Sequence, residues 1–478
     1  MDPLLFDSGL ELARKIKSRE ITSTDAVEAH IRHIELVNPI VNAMVKDRFN
    51  KARAEARRAD EELKEKGPDG VPVYHGVPCT IKESFQLTGM PQTSGLVARR
   101  DRISEQDATT VARMREAGAI PLGVTNVPEL CMWMETNNLI YGRSNNPYNR
   151  EHIVGGSSGG EGCIIGAGGS PFGLGADIGG SIRMPAFFNG VFGHKASSNL
   201  IPNTGQYPIS FDGTLNYLAT GPICRRAEDL WPLVKLMAGP DGVDPNTREQ
   251  PLGDPSTVDL TSLTVVDIED NGHTPVSLDL RLAQRRVTDH LVKNGARLVV
   301  AKPDLLRKSF DIWSSSLSHE SKTSFVEMMG DGRQVSPIIE LFKWFFQRSN
   351  HTFPAIMLGI TEAFEHLFPG RIRKFFRLGQ ELREEMNELV GPKGIFLFPS
   401  HAYPAPRHNY PLMRPFNFVY TGILNIMEMP VTQVPLGLNS EGLPLGVQVG
   451  ATHGNDHLTV AVAMELERAF GGWVPPDF

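Results

Sequence analysis

Helix-spaced and strand-spaced runs of apolar residues alternate along the first quarter of the chain. Residues 9–66 place apolar side chains at helical spacing, and Ser8 is positioned to cap the first helix. Residues 71–81 form an apolar run typical of a strand. Residues 109–117 predict another helix, and residues 119–124 predict another strand. Alternation of this kind favours a layered α/β fold built on a sheet.

Two later segments predict a hairpin and a long surface loop. Residues 431–436 and 443–449 are apolar runs on either side of a turn at 439–442, which predicts a β-hairpin. Residues 239–261 are acidic and rich in proline and glycine, so we expect a surface loop there. This loop would separate the first half of the chain from an inserted region that follows it.

The inserted region contains a segment, residues 338–376, whose apolar side chains cover more than one helical face and whose end is basic. Two interpretations are open. One is a pair of helices packed in the core. The other is an exposed apolar cap, rimmed by Lys343, Arg348 and the basic residues 371–377, that contacts a membrane or gates an apolar tunnel.

Composition narrows the class of protein. The chain has 478 residues, 40% of them apolar, which is enough for one large α/β domain or for two or three smaller ones. Its 48 basic and 55 acidic residues give a formal net charge of −7. A chain with this balance has no basic field for a nucleic acid, so we expect no nucleic-acid partner.

Cysteine and histidine usage argues against disulfides and metals. The four cysteines form no CxxC pair, and the 14 histidines form no HExxH motif. We therefore expect reduced thiols and no metal site. No signal peptide and no run of 18 apolar residues is present, which predicts a protein that is cytoplasmic or peripheral to a membrane.

The most unusual segment is residues 155–180, which hold 12 of the 46 glycines of the chain and are followed by Ser181. Ser157 and Ser158 lie near its start. Its interior is apolar at residues 163–165, unlike a flexible linker, and it lacks the Gly-Lys-Ser ending of a phosphate-binding loop. A buried catalytic loop, a structural glycine-rich crossing and a linker are the three interpretations, and the first fits the hydroxyl groups among bare N–H groups.

Three separated elements carry a resemblance to a known family. They are GGSSGGEG at 155–162, DIGGSIRMPAFFNGVFGHK at 177–195 and a lysine, Lys82, at the end of VPCTIK. In this order and spacing they resemble the amidase signature family of serine hydrolases. Within that family the sequence is most similar to fatty acid amide hydrolases, particularly the second vertebrate type, although this chain has no N-terminal membrane helix of the kind that some relatives have.

The resemblance implies a fold and a domain organisation. It implies an amidase signature fold of the α/β class, in which a large twisted mixed β-sheet is surrounded by many α-helices. The whole chain, residues 1–478, would form one domain, with a catalytic core segment at 70–235 and a helical cap insertion at 310–390. Lipid-amide hydrolases of the family carry a membrane cap in this part of the chain, which favours the cap interpretation of residues 338–376.

The resemblance also implies a Ser-Ser-Lys triad. Lys82 would be the base, acting as a neutral amine, and Ser157 would relay the proton of the nucleophile Ser181. In the family the peptide bond before the residue at the position of Ser157 is cis. The oxyanion hole would consist of the N–H groups of Ile178, Gly179, Gly180 and Ser181.

Two further sets of residues would surround the triad. Ser158, Asp177 and Arg183 would fix the catalytic loops, as a supporting shell. The apolar and sulfur side chains of Cys131, Met132 and Met134 match a position that lines the acyl pocket in lipid-amide relatives.

These inferences predict a cofactor-free amide hydrolase that cleaves apolar acyl or aryl amides through an acyl-enzyme. Hydrolysis of carbamates or esters by the same triad is the first alternative. An ammonia-transferring amidotransferase subunit is the second, and a catalytically silent membrane scaffold is the third. Expected partners are a small-molecule amide or carbamate, a membrane surface at residues 338–376 and a second copy of the chain in a homodimer.

Overall fold

Strands and helices alternate along the chain in this computed structural model, which describes residues 1–209, 212–365 and 367–478. The strands are β1 (Met44–Asp47), β2 (Pro78–Lys82), β3 (Ile120–Thr125), β4 (Asn137–Asn138), β5 (Gly142–Arg143), β6 (Phe172–Asp177), β7 (Phe192–Lys195), β8 (Ala219–Cys224), β9 (Thr264–Asp267), β10 (Arg297–Val300), β11 (Gly394–Phe398), β12 (Val431–Leu438) and β13 (Pro444–Ala451). The α-helices are α1 (Gly9–Lys17), α2 (Ser23–Val41), α3 (Phe49–Lys66), α4 (Thr109–Glu116), α5 (Gly159–Gly166), α6 (Arg183–Phe188), α7 (Leu230–Met237), α8 (Leu278–Lys293), α9 (Ser309–Glu320), α10 (Phe325–Gly330), α11 (Pro337–Phe345), α12 (Phe353–Glu365), α13 (Pro369–Val390), α14 (Tyr410–Met413), α15 (Val419–Ile426) and α16 (Asp456–Phe470).

A mixed sheet of 11 strands organises the molecule. Its strand order is β1-β3-β2-β6-β8-β7-β12-β13-β11-β9-β10. Strand β2 pairs in parallel with both β3 and β6, while β6 pairs antiparallel with β8. The register places Lys82 opposite Thr125 and Thr80 opposite Gly173. Helices surround this sheet, so the predicted fold class is confirmed.

Helix α5 lies in the protein interior beside the sheet. All eight of its residues are buried, and it packs against α2, α6, β2, β3 and β6. The two apolar residues Ile164 and Ile165 lie in this helix and are fully buried. The glycine-rich segment is therefore not a flexible linker, because it forms part of the protein interior.

The prediction that residues 9–66 are helical is wrong at β1, which is a strand. Helix α2 ends where Asn42 adopts a left-handed conformation with φ 49°. The side chain of Asn38 then accepts hydrogen bonds from the backbone N–H groups of Ala43, at 2.9 Å, and Met44, at 2.8 Å. These bonds turn the chain so that β1 forms the edge of the sheet beside β3.

The predicted strand at 71–81 is shorter in the structure, because β2 begins only at Pro78. Turn hydrogen bonds occupy the preceding residues, from the N–H of His75 to the carbonyl of Pro72 and from the N–H of Val77 to the carbonyl of Tyr74. Turns and proline thus override the strand pattern of the apolar run.

Other predicted elements are confirmed. The predicted hairpin corresponds to β12 and β13, which pair antiparallel. Ser8 caps α1 by accepting a hydrogen bond from the N–H of Glu11 at 2.9 Å. Residues 239–261 contain only short 3-10 turns among otherwise irregular backbone. The four cysteines are free thiols.

The inserted region between β10 and β11 is helical. Of the two interpretations of residues 338–376, core packing applies to part of α12 and exposure applies to α11. In α12, Ala355 and Ile356 are buried against Leu96 and Leu130 of the body. Most apolar side chains of helix α11 are instead exposed to solvent, and that of Phe345 is 78% exposed. A pair of core-packed helices is therefore wrong for α11.

Burial along α11 is the reverse of that in an ordinary surface helix. Its one buried residue is Glu340, which accepts hydrogen bonds from Lys343 and Ser349, each at 2.7 Å. Ile338 and Phe342 face outward. Within the described ranges, no helix is both long enough and apolar enough to span a bilayer.

Candidate active site

The centre of the candidate site is a contact between a buried lysine and a buried serine. Lys82 ends strand β2, and its Nζ donates a hydrogen bond to Oγ of Ser157 at 2.7 Å. Both side chains are almost fully buried. Ser157 lies just before α5, and the peptide bond between Gly156 and Ser157 is cis.

Burial lowers the pKa of the Lys82 amine below its ordinary value, because the interior disfavours the ammonium form. The carboxylates of Asp177 and Glu161 oppose this effect by attracting the positive charge. Burial also raises the pKa of the Cys131 thiol, whose side chain interacts with Ser157. The site therefore favours a neutral amine in contact with a hydroxyl group.

Ser181 lies beside the two serines at the start of α5. The N–H of Ser158 donates to the carbonyl of Ser181 at 3.1 Å, which holds the two loops side by side. The hydroxyl of Ser158 both donates to the carbonyl and accepts from the N–H of Ala176, each at 3.3 Å. Ser181 is partly exposed, and its hydroxyl has no hydrogen-bond partner in the part of the chain that the structure describes.

Three consecutive carbonyl groups before Ser181 are held by side chains from distant elements. Asn425 donates to the carbonyl of Asp177 at 2.9 Å. Trp313 donates to the carbonyl of Ile178 at 3.0 Å, and Thr421 donates to that of Gly179 at 2.8 Å. Since N–H and C=O point in opposite directions across a trans peptide, these bonds fix the direction of the following N–H groups.

The N–H of Gly180 has an acceptor within the protein, because it donates to Oδ1 of Asp177 at 2.8 Å. Gly180 has φ 114°, and a Cβ there would lie 1.9 Å from Oγ1 of Thr421, so only glycine fits. The N–H groups of Ile178, Gly179 and Ser181 donate to no acceptor among the described residues. Of the four predicted oxyanion donors, three are therefore without an acceptor in the described ranges of the chain.

A buried ion pair stabilises this loop. The guanidinium of Arg183 contacts the carboxylate of Asp177 through Nε at 3.0 Å and through a terminal nitrogen at 2.9 Å. Both side chains are fully buried. Burial alone would raise the pKa of Asp177, but Arg183 and Asn425 hold it well below its ordinary range. Arg183 also donates to Gln448 at 2.8 Å and to Asn425 at 2.7 Å.

The three predicted pocket residues occupy different surroundings. Cys131 lies next to the lysine and Ser157. Met132 packs against the apolar cluster that α12 forms with the body, and Met134 lies in the main core. The structure therefore brings only Cys131 into direct interaction with the predicted triad.

Sequence reasoning missed four residues that hold the site together. They are Trp313 on α9, Thr421 and Asn425 on α15 and Gln448 on β13. Each lies more than 130 positions from the loop that it contacts. No local motif signals such contacts, because they depend on how the sheet brings distant elements together.

The arrangement contains the parts that acyl transfer needs. A buried amine can accept a proton, a partly exposed hydroxyl can act as a nucleophile, and fixed N–H groups can stabilise an oxyanion. Among residues 1–209, 212–365 and 367–478, no group of three His, Cys, Asp or Glu side chains is arranged to hold a metal ion.

Comparison with known proteins gives relatives that align over nearly the whole chain. Residues 25–460 match the model of the family described as Amidase. Fatty-acid amide hydrolase 2 of Homo sapiens is 48% identical over 99% of this chain and 91% of its own length, and fatty-acid amide hydrolase 2-A of Danio rerio is 46% identical over the same shares. A solved bacterial aryl acylamidase of the amidase signature family has a TM-score of 0.81 at 22% identity, covering 98% of this chain and 97% of that one, and shows the same fold.

The ion pair predicts a large effect of removing one charge. Asp177→Asn keeps the size of the side chain but leaves the buried Arg183 without its counter-charge. We expect a loss of about 3–5 kcal/mol in the free energy of unfolding, measured by chemical denaturation. Asp304→Asn is the control, since that side chain is 91% exposed and its loss should have no effect. Equal unfolding midpoints for both variants would contradict the assignment.

Proposed function

The chain belongs to the amidase family and is an amide hydrolase, and we propose that it cleaves amides of apolar acyl groups through an acyl-enzyme on Ser181. The observation that carries this mechanism is the buried contact between Lys82 and Ser157 at 2.7 Å. A neutral amine in that position accepts a proton, which an ordinary surface lysine at neutral pH does not.

In the proposed first step, the hydroxyl oxygen of Ser181 attacks the carbonyl carbon of the amide. Its proton passes to Ser157, and the proton of Ser157 passes to the amine of Lys82. The C–O bond forms as the carbonyl π bond opens, which leaves a negative charge on the carbonyl oxygen. Lys82 becomes an ammonium and Ser157 is again a neutral hydroxyl.

The N–H groups of Ile178, Gly179 and Ser181 are proposed to bind that oxygen. Among the residues that the structure describes, they have no protein acceptor, and side chains behind the loop fix the carbonyl groups that precede them. Gly180 would join them only if its N–H left Asp177. Each preorganised donor of this kind contributes about 10²- to 10³-fold to the rate.

In the second step the C–N bond breaks. The proton returns from Lys82 through Ser157 to the departing nitrogen, which leaves as a neutral amine or ammonia. A water molecule then attacks the ester on Ser181, with the same lysine as base, and releases the acid. All protons are thus returned and no cofactor takes part in the proposed cycle.

An apolar acyl group is proposed as the substrate class on two grounds. The relative at 48% identity is named for fatty-acid amides. Helix α11 also exposes apolar side chains of the kind that would receive a lipid substrate. Matched amide, urethane and ester substrates separate the proposal from carbamate or ester hydrolysis, and turnover by the purified chain alone separates it from an ammonia-transferring subunit.

Replacing the proposed base should affect amides more than activated esters. Lys82→Ala removes the group that takes the proton of Ser181 and protonates the leaving nitrogen. We expect kcat/KM for amides to fall by about 10²- to 10⁴-fold, and by less for an activated ester, whose leaving group needs no proton. In the wild type, activity should rise with pH as Lys82 loses its proton. The apparent pKa of this rise should be lower than the pKa of a free lysine, because burial lowers the pKa of Lys82.

A second buried lysine provides the control for this experiment. Lys195 is fully buried and burial lowers its pKa to about 8, but its Nζ donates to the carbonyl of Ala196, at 3.2 Å, and not to a serine of the described chain. Lys195→Met should reduce stability while leaving the ratio of amide to ester turnover unchanged. Equal losses on both substrates in Lys82→Ala would exclude protonation of the leaving group by this lysine, and near-normal amide turnover would exclude the mechanism.

We further propose that α11 is a membrane-contacting surface, which makes the enzyme peripheral to a bilayer. Ile338, Phe342 and Phe345 extend from it, and the exposed cations Lys343 and Arg348 lie beside them. Apolar side chains beside cations suit an interface with anionic lipid. A homodimer through the same face is the competing use of this surface.

Charged substitutions on α11 test this proposal. The double variant Ile338→Asp, Phe345→Asp should keep the melting temperature of the wild type, because both side chains are already in water. Its binding to anionic phospholipid vesicles should weaken by about tenfold or more. Leu36→Asp is the matched control, since Leu36 is equally exposed at 72% but lies on α2. Unchanged vesicle binding, or a dimer that only the double variant disrupts, would contradict a membrane surface.

A further inference from the structure

A buried carboxyl group, that of Glu161, contacts strand residues that neighbour the proposed base, Lys82. Glu161 lies in the first turn of α5, four residues after Ser157, and is fully buried. One carboxylate oxygen accepts a short hydrogen bond from the hydroxyl of Thr80. The other accepts from the hydroxyl of Thr125 at 2.6 Å.

These contacts place Glu161 on the face of the sheet that carries Lys82. Thr80 and Lys82 are two positions apart on β2, so their side chains lie on one face. Thr125 is the register partner of Lys82 on β3. Two contacts therefore join β2 to the start of α5: Lys82 to Ser157, and Thr80 to Glu161.

The neighbouring strand leaves room for this carboxylate. Gly173 of β6 pairs with Thr80, and a Cβ at Gly173 would lie 1.7 Å from an oxygen of Glu161. Any side chain at this position would displace the carboxylate. The close approach explains a glycine in the middle of a fully buried strand, where it is otherwise unfavourable.

We propose that Glu161 is a positioning residue for the Lys82–Ser157 pair: it fixes the start of α5 on the sheet and is a buried negative neighbour of Lys82. The inference rests on the proposed role of Lys82 as base. Proton transfer to Lys82 creates an ammonium in the interior, and a nearby carboxylate stabilises that charge. Glu161 itself touches neither the substrate nor the nucleophile.

Two buried carboxyl groups near this pair, Glu83 and Glu161, change charge near neutral pH, because burial raises the pKa of each to about 7. Of the two, Glu161 is the one that favours the ammonium form of Lys82. Thr125 and Thr80 oppose the rise in the pKa of Glu161. Asp177 stays ionised because its pKa is held well below the ordinary range. Cys131 and Cys79 stay neutral because burial raises the pKa of each thiol. At alkaline pH Glu161 is a carboxylate, and it favours the ammonium form of Lys82.

The test is the pH profile of Glu161→Gln, which keeps the shape of the side chain and removes its charge. Without the carboxylate, the pKa of Lys82 falls, so the rising limb of kcat/KM should move to lower pH by roughly 0.5–1 unit. The plateau of kcat should drop by about tenfold or more, since the ammonium is less stable, and KM should change little. Thr125→Val, which removes one hydrogen bond from the carboxylate, should shift both quantities in the same direction by less.

Asp229→Asn is the matched control. Asp229 is also fully buried with a pKa raised by burial to about 7, but it caps α1 by accepting from the N–H groups of Gly9 and Leu10. This variant should be less stable than the wild type with an unchanged pH limb. A Glu161→Gln enzyme that behaves in the same way would show that Glu161 is only structural.

Failure of this inference is distinguishable from failure of the proposed mechanism. If Lys82→Ala is inactive on amides while Glu161→Gln has the wild-type pH profile, only the role of Glu161 is wrong. If Lys82→Ala retains amide turnover, the base itself is wrong. Should Glu161→Gln not fold, an unchanged profile in Thr125→Val would overturn the inference on its own.

Discussion

A lysine amine enclosed by protein is the constraint on which the rest of the site depends. Lys82 is useful in the proposed mechanism only if it is neutral, and burial at the end of β2 favours that form. The hydroxyl of Ser157 is the single group to which its Nζ donates a hydrogen bond within the described residues. Keeping the amine dry therefore requires a helix, α5, pressed closely against the strand, and glycine is the residue that permits such an approach.

Buried polar groups also hold the loop that carries Ser181 in place. Asp177 and Arg183 form a buried pair whose remaining hydrogen bonds are completed by Asn425 and Gln448. Such a pair contributes little net stability compared with apolar packing, but breaking it is expensive. Its function in this fold is geometric, since it fixes the turn that leads to Ser181. The loop that carries Ser181 is thus held by residues on three distant elements, α9, α15 and β13.

The sequence predicted the chemistry better than the geometry. The glycine-rich segment, with Lys82 upstream, was sufficient to indicate the family, because those residues are constrained by their own local conformation. Trp313 and Thr421 were missed, since their importance arises only when α9 and α15 pack on the loop. Strand β1 was missed because the helix ends at the left-handed Asn42, where the side chain of Asn38 accepts hydrogen bonds from the N–H groups of Ala43 and Met44. Whether the apolar side chains of α11 are buried or exposed was left open. An apolar pattern gives the width of the apolar face of a helix but not what packs against that face.

The most direct test of the account is to identify the residue that carries the acyl group. The enzyme would be treated with a fluorophosphonate, digested and mapped by mass spectrometry, with Ser181→Ala and Ser157→Ala treated in parallel. The account predicts an adduct on Ser181, none in Ser181→Ala, and slower labelling in Ser157→Ala because the proton relay is lost. An adduct on Ser157, or on Ser210, which lies outside the described residues, would contradict it.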